Sequence, residues 1–419
     1  MPKLQGSPES LRRQNRSNVL NCLLQHGAID RTQLAKETGL TTTAITRITR
    51  ELLDAGIIRL GDKSPLESGP GRNRTLLTFN EDGAYVVGVS LAAWERRLAI
   101  ANLKGDVITE QPLELSDLKN SIQTLDEIAS AIDALIAEQN LPRHRVLGIG
   151  FATAGVVNGG TGRLETAPYL GWTNVDIGGA LATELDIPVA VENLNNAIVM
   201  AEAQFGCCAN KQNIVLVRVG PGLGGSFVVN GQLARGRNFQ AGQVGHIPVA
   251  GNSTLCACGE TGCLNTLASG WAILSELGLS RPPASSAERL VQDGALLEEV
   301  IERARNKDVV VAGAARKAGE ALGRMLASFY QALSPEVVMV VGPISEIDAY
   351  IEGIRRAAGA NSIELPLATP SEQKFKSVAS SAAMHALTQF VFSPALRLSP
   401  LLSEVAVQDG TGRLDSATP

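Results

Sequence analysis

Three cysteines fall within eight positions of this chain, Cys256, Cys258 and Cys263, and one of only four histidines, His246, stands just ahead of them. Three thiolates and an imidazole are the inventory of a tetrahedral Cys₃His zinc site. Gly259 and Gly262 lie between the thiols and supply tight turns with positive φ, which let closely spaced ligands converge on one ion. Incidental or buried cysteine would explain a Cys-x-Cys pair alone; the third Cys and the His favour metal. Four protein ligands leave no position for water, so the metal is expected to staple a loop and not to catalyse. The stretch from Gly242 to Gly270 is therefore the piece around which the rest must be arranged.

A chain of 419 residues is too long for one small core, so two or three domains are expected. No run approaches the roughly 18 to 20 apolar residues that span a bilayer, and the N-terminus, Met1 to Gly6, lacks a signal-peptide apolar core. Six cysteines, three of them assigned to metal, fit a reducing cytoplasm and no membrane partner. Cys22, Cys207 and Cys208 read as core fillers. The net charge of −5 hides an asymmetry: residues 1–80 carry 12 Lys/Arg against 7 Asp/Glu, a net of +5, which leaves −10 on the remainder. A basic head on an acidic body implies that the head alone meets a polyanion.

The head is predicted to span residues 1–80. Val19, Leu20, Leu23 and Leu24 mark the stripe of a helix over 9–26 that ends at Gly27. Asp30 caps a short helix over 31–38, and Gly39-Leu40 makes the turn into a third helix over 41–54. Ile45, Ile48 and Leu52 mark that helix's buried face, while Thr41, Thr42, Thr43, Thr46, Arg47 and Arg50 supply hydroxyls and guanidinium groups opposite. This is a helix-turn-helix whose third helix suits the major groove of double-stranded operator DNA. Residues 56–60 and 74–79 read as a strand pair around a basic tip, 68–74, so that Arg72 and Arg74 form a wing able to reach phosphates or the minor groove. The competing reading is a three-helix protein-interaction domain.

From Ala84 the pattern becomes α/β. Strands are expected over 85–91, 97–103, 146–151, 188–192, 213–219, 225–230 and 337–341, with helices over 121–140, 195–205 and 309–333. Residues 393–419 are Ser/Leu/Pro/Asp-rich without periodicity and read as a disordered tail or a loose cap.

Gly242-x-x-Gly245-His246 followed by Cys256-x-Cys258-Gly-x-x-Gly-Cys263 resembles the signature of the ROK family, which contains sugar kinases and sugar-responsive repressors. The resemblance extends over roughly residues 84 to 390. It implies a body of two ribonuclease-H-like α/β lobes, actin- or hexokinase-like, over residues 84–392, with a cleft between them and the zinc loop at 246–263. The same resemblance shows what has been lost. Family kinases hold nucleotide phosphates in a first loop of the form Asp-x-Gly-Gly-Thr; here the chain reads Ser90-Leu-Ala92-Ala93-Trp94. In the second loop, Gly220 to Gly225, Pro221 replaces the usual Thr and removes a hydroxyl and an N–H donor. Where the kinases carry a general-base Asp in Glu-Asn-Asp-x-Asn-Ala, this chain has Leu194, which accepts no proton.

The resemblance also marks sugar-contact positions, occupied here by Asn193, Gln243, His246 and Asn265. Gln243 and Asn265 stand where the family has Glu, trading charge for extra donors. Leu170-Gly171-Trp172 resembles a wall of the sugar cleft, the alternative being core packing. Together these features imply a transcriptional regulator, a repressor of carbohydrate-uptake or catabolic genes, with a catalytically dead kinase-like body and a sugar-type effector. A homodimer or higher homo-oligomer is expected, because helix-turn-helix proteins read paired half-sites. The alternatives are a bifunctional sugar kinase with a DNA-binding head and a ligand-independent DNA-binding scaffold.

Overall fold

The computed structural model describes residues 7–63, 75–92, 95–279, 287–360, 362–368 and 372–402. Arg72 and Arg74 of the wing, Ala93 and Trp94 of the first loop, and residues 403–419 of the tail lie outside the described residues.

The head opens with α1 (Pro8–His26), where Ser7 caps the helix by accepting from the Ser10 N–H and Pro8 sits where its missing N–H costs nothing. A two-residue strand, β1 (Ala28–Ile29), leads to α2 (Arg31–Thr38), capped by Asp30, whose carboxylate accepts from Thr32 and Gln33. Helix α3 (Thr42–Asp54) follows, capped by the Thr41 hydroxyl, and then β2 (Ile58–Lys63) and β3 (Thr75–Phe79). These strands pair antiparallel in a sheet of order β1-β3-β2, which makes the head a winged helix. The expected helices and hairpin are present; β1 is an addition too short to carry a sequence pattern.

The first lobe holds β4 (Tyr85–Leu91), β5 (Arg96–Asn102), β6 (Val107–Pro112), α4 (Ser121–Glu138) and β7 (Val146–Thr153). A small antiparallel sheet of β8 (Val156–Asn158), β9 (Arg163–Ala167) and β10 (Trp172–Asp176) interrupts it before α5 (Ile177–Leu185), β11 (Val189–Asn193) and α6 (Leu194–Phe205). The second lobe holds β12 (Ile214–Val219), β13 (Leu223–Val229), β14 (Gln232–Leu233), α7 (Asn265–Ala268), α8 (Gly270–Glu276), α9 (Ala287–Arg305), α10 (Val309–Leu333), β15 (Val337–Val341), α11 (Asp348–Gly359) and β16 (Leu367–Ala368). The chain then returns to the first lobe as α12 (Val378–Ala386).

The two main sheets repeat one plan: β11-β7-β4-β5-β6 and β14-β13-β12-β15-β16. In each, the first strand pairs antiparallel with its hairpin partner on one side and parallel with the next crossover strand on the other. Helices α6 and α12 fill the layer between the sheets, in a buried cluster that includes Ala92, Leu194, Ile198, Leu216 and Val378. α12 lies directly on the first sheet because Gly88 and Gly150 face it: a Cβ on either would sit about 2 Å from the carbonyls of Ala379 or Ala382.

One boundary differs from expectation. Residues 393–402 are not a disordered tail; Phe392, Leu396, Leu398 and Leu401 are buried in one cluster with Val19, Leu20 and Leu77 of the head and Val86, Ala383 and Leu387 of the body. Arg16 donates to the Leu396 carbonyl at 2.6 Å, and Ser17 and Asn21 donate to that of Phe392 at 2.7 and 2.8 Å. The Phe392 ring meets Phe79 edge-on and Phe205 at a tilt, each with centroids 5.7 Å apart. Head and body thus share a core. The spacing 392, 396, 398, 401 fits neither a helical nor a strand period, which is why the sequence pattern reads as a tail.

Candidate functional site

The candidate site has two parts, an exposed helix in the head and, in the body, the cysteine loop with its neighbouring polar residues. On α3, Ile45, Ile48 and Leu52 are buried, and Thr41, Thr42, Thr43, Thr46, Arg47 and Arg50 are all exposed. Arg47 lies 4.0 Å from Glu51, which also binds Arg12, and Thr46 bonds back to the Thr42 carbonyl. The face is a row of short donors flanked by guanidinium groups, chemistry that pairs with base edges and phosphates.

In the body, the ligand atoms of His246, Cys256, Cys258 and Cys263 all lie within 4.8 Å of one another. The Cys258 and Cys263 sulfurs are 3.7 Å apart, and the Cys256 sulfur is 3.9 Å from His246 Nδ1. A disulfide would need about 2.05 Å, whereas sulfurs bound to one tetrahedral ion at about 2.3 Å stand roughly 3.7 to 3.8 Å apart. Gly259 and Gly262 have φ of +92° and +84°, and the isolated bridges Pro248–Cys263 and Leu255–Thr261 pin the loop. Burial pushes the Cys263 thiol up to about 12, raises that of Cys256, and holds the His246 imidazole below its ordinary range. The Cys256 and Cys263 thiols, disfavoured as anions by burial, become ligands beside a cation. For the Cys258 thiol, burial is outweighed by hydrogen bonds from the Glu260 backbone and the neighbouring thiols, which lower it. The neutral imidazole is already the binding form. The residues fit a metal ion.

The four expected ligand contacts divide. Gln243 and His246 are exposed. Asn265 is buried, and its amide oxygen accepts from the Leu223 N–H at 2.7 Å, bracing the glycine turn between β12 and β13; it also fills the space where a Cβ on Gly245 would stand. Asn193 is the N-cap of α6 and accepts from the Asn195 N–H, while its Nδ2 donates to the Gly155 carbonyl at 2.9 Å. Both side chains hold backbone in place. Leu194 is buried between the lobes, and Ala92 of the first loop is buried in the same cluster. Leu170 and Trp172 are core, with the indole donating to the Leu118 carbonyl. Cys22 and Cys208 are buried as expected, but Cys207 is exposed.

Sequence reading missed Glu192, Arg235, Glu95 and Arg218. Buried Glu192 pairs with Arg235 and accepts from the Asn193 N–H. Arg218 pairs with Glu95 at 2.8 Å. A lone charge inside the apolar run of β12 was the available signal.

The chain belongs to the ROK family, whose model matches residues 86–384, and a winged helix-turn-helix DNA-binding model matches residues 12–59. It is similar to the xylose repressor of Caldicellulosiruptor bescii, 25% identical over 362 residues that cover 85% of this chain and 90% of the relative. It is equally similar to the DNA-binding transcriptional dual regulator NagC of Escherichia coli K12, 25% identical over 344 residues covering 82% and 84%. Among solved structures, a ROK family transcriptional regulator homologous to the E. coli MLC protein superposes with a TM-score of 0.75 at 24% identity, covering 94% of this chain and all of that one. A ROK glucokinase from Streptomyces griseus shares the body fold, with a TM-score of 0.58 at 23% identity over 73% of this chain and all of that one. Among the described residues no helix is long and apolar enough to cross a membrane.

Proposed function

We propose that this protein is a DNA-binding transcriptional repressor of carbohydrate genes, acting as a homodimer or higher homo-oligomer and released by a sugar-type effector. The observation that carries this reading is the winged head, with its exposed donor face on α3, built into one core with a ROK body. The repressor names of the relatives support it. Thr41, Thr42, Thr43, Thr46, Arg47 and Arg50 meet the major groove, with Arg72 and Arg74 of the wing on flanking DNA.

The cysteine loop holds one structural zinc through His246, Cys256, Cys258 and Cys263. Zinc there supplies cross-linking of the loop and no chemistry. Held through one ring nitrogen, His246 turns the other toward the cleft. Gln243 and His246 then contact a neutral or amino-type sugar, and Asn193 and Asn265 position the backbone around it. The body performs no phosphoryl transfer, since a buried leucine at position 194 accepts no proton from a sugar hydroxyl. Effector binding shifts the population of head arrangements that fit paired half-sites.

Xylose and N-acetylglucosamine, the sugars in the relatives' names, lead the panel for calorimetry. Gln243→Ala is expected to keep DNA binding and lose release by whichever sugar acts. If no sugar on a broad panel binds the wild type, the scaffold reading replaces the effector reading; ATP turnover dependent on Asn193 would restore the kinase.

A further inference from the structure

Strand β12 carries its apolar residues on two faces. Val215, Val217 and Val219 point to the second lobe's own helices, and Ile214 and Leu216 point to the layer between the lobes. Arg218 shares the inter-lobe face by the two-residue period, and it is 5% exposed. A guanidinium cannot be stripped of water there without a partner. One partner comes from the other lobe: a Glu95 oxygen accepts from Arg218 at 2.8 Å. The second Glu95 oxygen accepts from the Val378 N–H at 2.7 Å.

Val378 is the first residue of α12, so its N–H has no partner within the helix, and that end carries the positive pole of the helix dipole. A buried arginine and a helix start aimed at the same two oxygens make an anion site. The nearby Glu110 is already paired with Arg97 and accepts from Ser377, so its charge is offset.

We propose that Glu95 is an internal anionic plug: it fills an anion site formed by Arg218 and the start of α12, clasps the two lobes there, and excludes phosphate-bearing ligands. The carboxylate is tethered in the β4–β5 connection, so its effective concentration at the site exceeds that of a free anion. Glu192 with Arg235 is a second pair that joins the two lobes. The plug is consistent with the neutral or amino-type sugar proposed above, which carries no phosphate to compete for the site.

The test uses the full chain and two probes, inorganic phosphate and ATP, titrated by calorimetry at low salt. Wild type is expected to show no saturable binding at millimolar concentrations. Glu95→Ala should bind phosphate at least about tenfold more tightly than wild type, and Glu95→Ala with Arg218→Met should lose that gain. In small-angle scattering, Glu95→Ala should have a larger radius of gyration than wild type, and phosphate should restore it. If Glu95→Ala does not fold, Glu95→Gln keeps an acceptor for Val378 while losing the ion pair, and it should show the same gain at reduced size. The proposal is overturned if wild type binds either probe as well as the variants do, or if the folded variant gains neither binding nor radius.

Discussion

The α3 face of the head and the cleft of the body are both lined by polar residues singled out from sequence, yet they spend those residues differently. On α3 every one of the six candidates is exposed, and the helix is held from behind by Ile45, Ile48 and Leu52. In the body, Asn193 caps a helix and Asn265 braces a turn, leaving Gln243 and His246 exposed. On one amphipathic helix the polar face carries only local duties, the Thr41 cap and the Thr46 bond back to Thr42, and all of its side chains stay at the surface. A cleft between two lobes must first hold its own walls, and buried amides satisfy backbone before they satisfy a ligand. The same residue types therefore stay exposed in one region and are partly taken up by backbone in the other.

Metal removal should separate the regions most sharply. Chelation, or Cys263→Ser, is expected to reduce zinc below about one per chain and to destabilise the body by about 4 kcal/mol or more. Metal analysis alongside urea unfolding checks both. A fully occupied and equally stable variant would leave the cleft without its staple.

A somewhat smaller effect is expected at the junction that joins the regions. Leu401 is fully buried among head and body residues, so Leu401→Ala should cost about 2 to 5 kcal/mol. If differential scanning calorimetry shows no loss, the head is not docked through the C-terminal segment.

The smallest effect belongs to His385 on α12. Burial lowers its pKa, with Arg235 pulling the same way and Glu192 opposing. A histidine whose folded pKa lies below its unfolded value of about 6.5 gives stability that is full above that pH and declines as pH falls through it. Unfolding free energy should therefore drop modestly from pH 7.5 to 5.5 in wild type, and His385→Gln should flatten that slope. An equal slope in both would remove His385 from the account.

What could be read from the sequence divides along physical lines. The 3.6-residue stripe of Ile45, Ile48 and Leu52 reports burial directly, and the spacing of Cys256, Cys258 and Cys263 reports convergence. Both are local. The pairing of Glu95 with Arg218 spans 123 positions, and nothing in either neighbourhood names the other. Gly88 and Gly150 show the same limit, since their need for α12 arises only once the sheet is assembled. The C-terminal leucines were missed because a segment wedged between two bodies follows their surfaces and no regular period. Asn193 and Asn265 looked like ligand contacts because a family position does not say which way its amide is spent.

The central claim is that the exposed face of α3 reads DNA sequence. Binding of the full chain to a duplex chosen by selection from random sequence, compared with a scrambled duplex, tests it through Arg47→Ala. The account predicts a loss of about 1 to 3 kcal/mol on the selected duplex and a smaller loss on the scrambled one. Equal losses on both, or a protein that selects no sequence at all, would contradict it.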